Sequence, residues 1–275
     1  MKKHSSYNLW IRVILFFAIT IILTFSFQTF ILPILRTLFN NGEQFPATLE
    51  INIIRMMNGI VGICLVYMFL TFDRRKLSVV GFSWEPTWGK EWILIAIPIA
   101  IIGLIPTVII ELLFNIIIIG HLLNILEIIL TLLVTIFAIG LGEEILFRGY
   151  LQSIIETKYS FSFAALISAL MFGILHFWLA AGSRNLFHMI AILFSAFVIG
   201  LTFSYIYKIS NYNLTLAVAI HGFWDFFLFI FQSEFMYENW IQVIMEILAS
   251  IIGALVIFLF VHYYKVKRLD KVQNI

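Results

Sequence analysis

Long apolar runs separated by short polar breaks organise almost the whole chain. A helix rises about 1.5 Å per residue, so roughly 20 apolar residues cross a bilayer. Eight runs meet that length, at about 9–38, 52–72, 91–118, 122–156, 162–181, 187–207, 213–231 and 241–264. The breaks between them are Asn40 to Gln44, Asp73-Arg74-Arg75-Lys76 through Gly89-Lys90, Gly120-His121, Lys158-Tyr159-Ser160, Gly182 to Asn185, Lys208 to Asn211, and Gln232 through Asn239. No internal repeat or low-complexity segment interrupts the pattern. The prediction is an all-α polytopic membrane protein: a bundle of about eight transmembrane helices, forming a single membrane domain over residues 1–275.

Composition agrees. The chain is 62% hydrophobic and 12% charged, with mean hydropathy +1.05. A soluble domain carries about a quarter charged residues, so the medium that solvates this chain is lipid. The 29 Phe and 7 Trp suit helices and interfacial belts. A net charge of +2 gives no case for a nucleic-acid partner. The single Cys64 lies inside an apolar run, which excludes a disulfide framework and a thiolate metal cluster. Lys2 and Lys3 precede an apolar stretch too long for a signal peptide, and no Ala-x-Ala site ends it, so the first span is read as uncleaved.

Charge then orients the bundle. With eight spans, one side holds both termini and Lys2, Lys3, Arg12, Arg74, Arg75, Lys76, Lys90, Arg148, Lys158, Lys208, Lys265, Lys267, Arg268 and Lys271. The other side keeps Arg36, Arg55 and Arg184. The positive-inside rule makes both termini cytoplasmic, and a bacterial plasma membrane is the expected location.

Against this background the buried polar residues stand out. Glu143-Glu144 and Arg148 sit in the middle of the fourth span, where an ionised group costs roughly 2.5–3.5 kcal/mol or more. Glu144 and Arg148 are four apart and share a helix face, whereas Glu143 points about 100° away. The plainer reading is a structural ion pair beside an incidental Glu. The fifth span carries His176, four residues after Phe172, and the seventh carries His221 with Asp225 four residues on. Alone, each histidine suits an interhelical hydrogen bond or a local His–Asp pair. Glu111, Asn115 and Glu127 are expected nearer the outer ends of spans three and four, solvated at the interface or paired with Arg36 or Arg55.

Depth links three of the spans. Counted from the turn near Tyr159, Glu143 lies sixteen residues before it and His176 seventeen after it. Antiparallel helices therefore bring them to nearly the same height. Counted from Tyr212, Asp225 is thirteen residues in and His221 nine. Such a set can deprotonate a water, or ligate a divalent metal with a position left for water. The spacing is not His-Glu-x-x-His, and neither a Ser–Lys nor a Gly-x-Ser-x-Gly pattern accompanies it.

Glu143-Glu144-x-x-x-Arg148 with Phe147 and Gly149, then Phe172-x-x-x-His176, then His221-x-x-x-Asp225, resemble the three motifs of the CAAX protease and bacteriocin-processing (CPBP, or Abi) family. The resemblance spans a catalytic core region of about residues 90–232. It implies an eight-helix intramembrane endopeptidase, a CAAX prenyl protease-like hydrolase cutting near the cytoplasmic face. Its partners would be membrane lipid and a peptide or protein substrate, lipidated or not, from CAAX cleavage to bacteriocin maturation. By position, Glu143 resembles the residue that activates water and His176 its partner. His221 and Asp225 resemble the pair that binds the oxyanion or completes a metal site. Glu144 and Arg148 resemble the supporting ion pair. Asp225 stands where the family often has Asn. An ionised Asp cannot donate to an oxyanion, so it is a metal ligand, or protonated, or the group that orients His221. A metal set of Glu143, His176, His221 and Asp225 holding Zn2+ or another divalent ion is the tentative form of the metal reading. Two other functions stay open: a non-catalytic membrane binding or immunity protein with this fold, and a proton- or cation-coupled transporter.

Overall fold

The computed structural model describes residues 6–273 apart from 44, 82–89, 119, 121, 181–184, 231–233 and 236. Lys2, Lys3, Gly89, His121, Arg184 and Gln232 lie outside the described residues. The helices are α1 (Ser6–Ser26), α2 (Leu32–Phe39), α3 (Ala47–Phe72), α4 (Lys90–Leu113), α5 (Ile125–Val134), α6 (Leu141–Glu144), α7 (Ser153–Glu156), α8 (Phe161–Ala180), α9 (Leu186–Ile209), α10 (Thr215–Phe229) and α11 (Trp240–Gln273). A wider π turn at Phe27–Ile31 joins α1 to α2. Two more, Thr135–Gly140 and Ile145–Gln152, join α5, α6 and α7 into one rod.

Six of the resulting rods are long and apolar enough to cross a membrane, and the apolar stretches Phe161–Phe177 and Thr215–Phe229 add two shorter ones. These coincide with the eight predicted runs. Apolar side chains such as Phe72, Leu94, Leu126 and Leu133 stay exposed on the outside of the bundle, as a lipid-solvated surface requires. The chain is an integral, multi-pass membrane protein.

One predicted run was too long. The third was drawn to residue 118, but α4 ends at Leu113 and the chain turns at Asn115, whose φ is +54°. Asn tolerates the left-handed region better than most residues. The apolar Ile117–Ile118 that follows is a short strand, β1, paired antiparallel with β2 (Glu234–Phe235). Leu123 N–H also donates to Ile230 O at 3.0 Å. The loops after the third and seventh spans are thus stitched together on one side. On the opposite side Leu214 N–H donates to Gly81 O at 2.9 Å, and Trp10 Nε1 donates to Tyr159 Oη at 3.1 Å. Arg12 pairs with Asp73 at 2.7 Å, and Tyr150 Oη donates to the same carboxylate at 2.9 Å. The loops alternate sides as an even number of spans demands.

Two apolar cores flank the centre of the bundle. One joins α1, α3, the rod through Ile145–Gln152, and α8 through Phe16, Leu65, Phe147, Leu151 and Phe172. The other joins α4, α9, α10 and α11 through Ala100, Phe203, Ile220 and Ile257. The rod carrying Glu143 reaches both through small residues. A Cβ on Gly142 would stand 2.7 Å from Gly59 Cα of α3, and one on Gly140 2.7 Å from Val218 O of α10. Close backbone approach of this kind is how helices pack without a hydrophobic drive between them.

Orientation is open to a direct check. In a Cys64→Ser background, cysteine at exposed Asn41 or Glu238 should react with an impermeant thiol reagent applied from outside. Cysteine at exposed Ser78 should react only after permeabilisation, because the Lys- and Arg-rich side faces the cytoplasm. Outside labelling at Ser78 would invert the orientation.

Candidate active site

The fourth-span rod, α8 and α10 bring Glu143, His176, His221 and Asp225 together. His176 Nε2 and His221 Nε2 each lie 3.8 Å from Glu143 Oε2. His221 Nε2 is also 3.8 Å from Asp225 Oδ2. Glu143 lies thirteen residues from the rod's end at Glu156, roughly 20 Å along the rod.

Each imidazole is fixed through its other nitrogen. His176 Nδ1 donates to Phe172 O, one turn back on α8, at 2.9 Å. That carbonyl can only accept, which leaves Nε2 as the free nitrogen. His221 Nδ1 donates to Glu144 Oε1 at 2.9 Å. The same oxygen accepts from Arg148 at 2.8 Å. The i, i+4 spacing pointed to Asp225 as the orienting partner of His221, but the 3.8 Å separation excludes a hydrogen bond. Glu144, from another helix, holds that imidazole instead. Aromatic rings complete the frame: Phe203 stacks on His221 at 4.7 Å, and Phe172 packs on His176 at 4.4 Å.

Arg148 is wholly buried, as its place in the middle of the fourth span leads one to expect. One terminal nitrogen meets Glu144, the other donates to Gly200 O of α9 at 2.7 Å, and the guanidinium faces the rings of Phe172 and Phe203. Wide π turns bracket the Glu143-Glu144 pair on both sides, a feature common where a helix carries a functional group.

Sequence reasoning missed three ionisable groups. Arg55 was counted among outer charges. Its guanidinium instead lies 3.6 Å over the ring of Phe229 and lines a cavity of about 180 Å³ with Glu143, His176, Asp225 and Asn58. Asp225 and Glu143 are the acids whose charge acts on it, yet among the described residues neither lies within 4 Å as an ion pair. Glu111 was expected at the interface. It is buried with Glu246 of α11 on a second cavity of about 230 Å³, which also reaches His176, His221 and Asp225. A single acid in an apolar span was the available signal for Glu246. The remaining outer acids have ordinary roles: Glu127 completes a capping box with Asn124, and Glu50 takes Arg36.

The donor types suit a divalent ion, because both free Nε2 atoms belong to imidazoles tied down through Nδ1. The arrangement does not. Among the described residues no three His, Cys, Asp or Glu side chains are gathered closely enough to hold an ion. The tentative metal set of Glu143, His176, His221 and Asp225 is therefore not a preformed site.

Residues 124–227 match the family described as type II CAAX prenyl endopeptidase Rce1-like. The matched stretch contains all three motifs, so the resemblance to the CAAX protease family is shown there. It leaves out Arg55, Glu111 and Glu246. No curated protein matches the chain.

Removing Arg148 would leave Glu144 buried without its counter-charge, a change that costs about 3–5 kcal/mol in buried pairs. Arg148→Ala should give a low yield of folded protein and a depressed melting temperature in detergent. Arg148→Lys should recover only part, since one ammonium cannot span Glu144 and Gly200 as the guanidinium fork does. A fully stable Arg148→Ala protein would refute the pairing as the keystone of this region.

Proposed function

We propose that the protein is an intramembrane endopeptidase that cuts a polypeptide near the cytoplasmic face, using water activated by Glu143 and His176. The observation that carries this reading is the geometry at Glu143 Oε2. It has no hydrogen-bond partner among the described residues and faces two free imidazole nitrogens at 3.8 Å. That spacing is too long for a direct bond and suits one bridging oxygen.

In this reading a water lies between Glu143 and His176. Glu143 takes one proton, and His176 Nε2 accepts the other hydrogen and aims the oxygen's lone pair. The oxygen adds to the substrate carbonyl carbon, and the π electrons move to the carbonyl oxygen. An ionised Asp225 cannot stabilise that oxyanion, being an acceptor only. Arg55 faces the same cavity and supplies N–H donors with positive charge, the kind of group that stabilises charge developed in the transition state. Asp225 then serves Arg55 and His221 as counter-charge. When the intermediate collapses, the C–N bond breaks, Glu143 returns its proton to the leaving nitrogen, and the proton left on the new hydroxyl passes to His176 Nε2 and on to solvent. The products are a carboxylate and an amine. No step runs through a metal.

Glu143→Gln keeps the shape and removes the base, so it should fold normally and lower peptide cleavage by roughly 100-fold or more. His176→Ala should do the same. Arg55→Ala should lower kcat with little change in KM, because its interaction forms with the oxyanion. Chelators should leave the rate unchanged, and purified protein should carry no stoichiometric metal. Stoichiometric metal lost in His221→Ala would replace this mechanism with a metal-bound water. Equal behaviour of wild type and Glu143→Gln across a peptide panel would favour a binding protein over an enzyme.

A further inference from the structure

The outer part of the second cavity has no part in the hydrolysis described above. Its inner end is His176, His221 and Asp225, and its outer end is Glu111 of α4 and Glu246 of α11. Both carboxyl groups line this one cavity. Ser195 Oγ donates to Glu246 Oε1 at 2.9 Å, and Ser250 Oγ lies 3.4 Å from the same oxygen. Glu111 is 2% exposed and Glu246 5% exposed, and each keeps one oxygen, Oε2, without a hydrogen-bond partner among the described residues.

The other buried acids of the bundle have basic neighbours. Glu144 has Arg148 and His221, Asp73 has Arg12, and Glu143 and Asp225 face histidines. Glu111 and Glu246 have none: among the described residues no Lys, Arg or His nitrogen lies within 4 Å of either. Two buried acids with vacant oxygens, in a chamber walled by Trp224 and Phe172, form a receptor for a cation. A volume of about 230 Å³ admits one side chain rather than a length of polypeptide. Because the chamber runs to the catalytic histidines, its occupant stands beside the bond that is cut.

We propose that the Glu111–Glu246 chamber is a substrate subsite for an ammonium group, carried either by a lysine side chain or by a free amino terminus next to the scissile bond. The proposal rests on the peptidase reading for its substrate, but not for the cation. Arg55 on the opposite cavity gives the site a polarity: positive on one side of His176 and Asp225, acidic on the other.

Two measurements on the full-length protein in lipid nanodiscs test it. The first uses n-butylammonium as the probe, with n-butanol as control, and reads melting temperature. The cation should stabilise wild type and not the Glu111→Gln/Glu246→Gln variant. The second incubates wild type with a peptide library and an N-acetylated copy, and reads the residues flanking each cut by mass spectrometry. Lysine should be enriched over norleucine at one flanking position, and the double variant should lower that ratio by about tenfold or more. Lysine enrichment in both libraries assigns the lysine side chain, and cuts next to the amino terminus that N-acetylation and the double variant each abolish assign the amino terminus. Stabilisation without any cleavage would keep the cation site and sink the peptidase reading. Cleavage with neither stabilisation nor enrichment would do the reverse. Stabilisation with indifferent cleavage would overturn the subsite.

Discussion

An arginine with no exposed surface in the middle of a lipid-embedded bundle has to be neutralised and hydrogen-bonded inside the protein, because no water is at hand to do it. Arg148 meets that demand with Glu144 on its own rod, the Gly200 carbonyl on α9, and two aromatic faces. The same Glu144 oxygen holds His221 of α10. One ion pair therefore fixes three helices and sets which nitrogen of His221 is free. The orientation of the His221 imidazole depends on the satisfaction of a buried charge on another helix. This explains why the two adjacent glutamates have separate duties: Glu144 is consumed by structure, and Glu143 is left with an unpartnered oxygen facing the histidines.

Much of this was legible in the sequence, for a physical reason. A bilayer makes depth readable from residue count, and long apolar runs leave little ambiguity about where spans begin. Equal distance from a turn then brought Glu143 and His176 level before any coordinates were known. What depth cannot supply is facing. Arg55 and Glu111 were placed near the outer ends by counting, and their burial against the centre of the bundle depends on which way their helices are rotated. Glu246 is one acid in an apolar run with no local partner to mark it. Local spacing offers His221 only Asp225, its neighbour on the helix, whereas Glu144 arrives from another one. The short β1–β2 pair was hidden because Ile117 and Ile118 prolong the apolar run of α4, and the turn at Asn115 that ends the helix is one residue's backbone conformation.

The two cavities divide the site by charge. They share His176, Asp225 and Phe229 as a common wall, with a guanidinium on one side and a carboxyl pair on the other. A polypeptide is itself polar along its length, with carbonyl and amide ends to every bond. A site with unlike flanks distinguishes one direction of threading from the other before any side chain is recognised.

The glycine contacts of the Glu143 rod have a mechanical meaning. A rod touched at one point can swivel about it. This rod is touched at Gly142 by α3 and, two residues away and so on nearly the opposite face, at Gly140 by α10. Both contacts are backbone against backbone, with no side chain between to act as a bearing. Two such pins remove rotation about the long axis and sliding along it together. The Glu143 carboxylate is then carried on a rod held in register with both neighbours, and freedom of movement is left to the helices that do not share these pins.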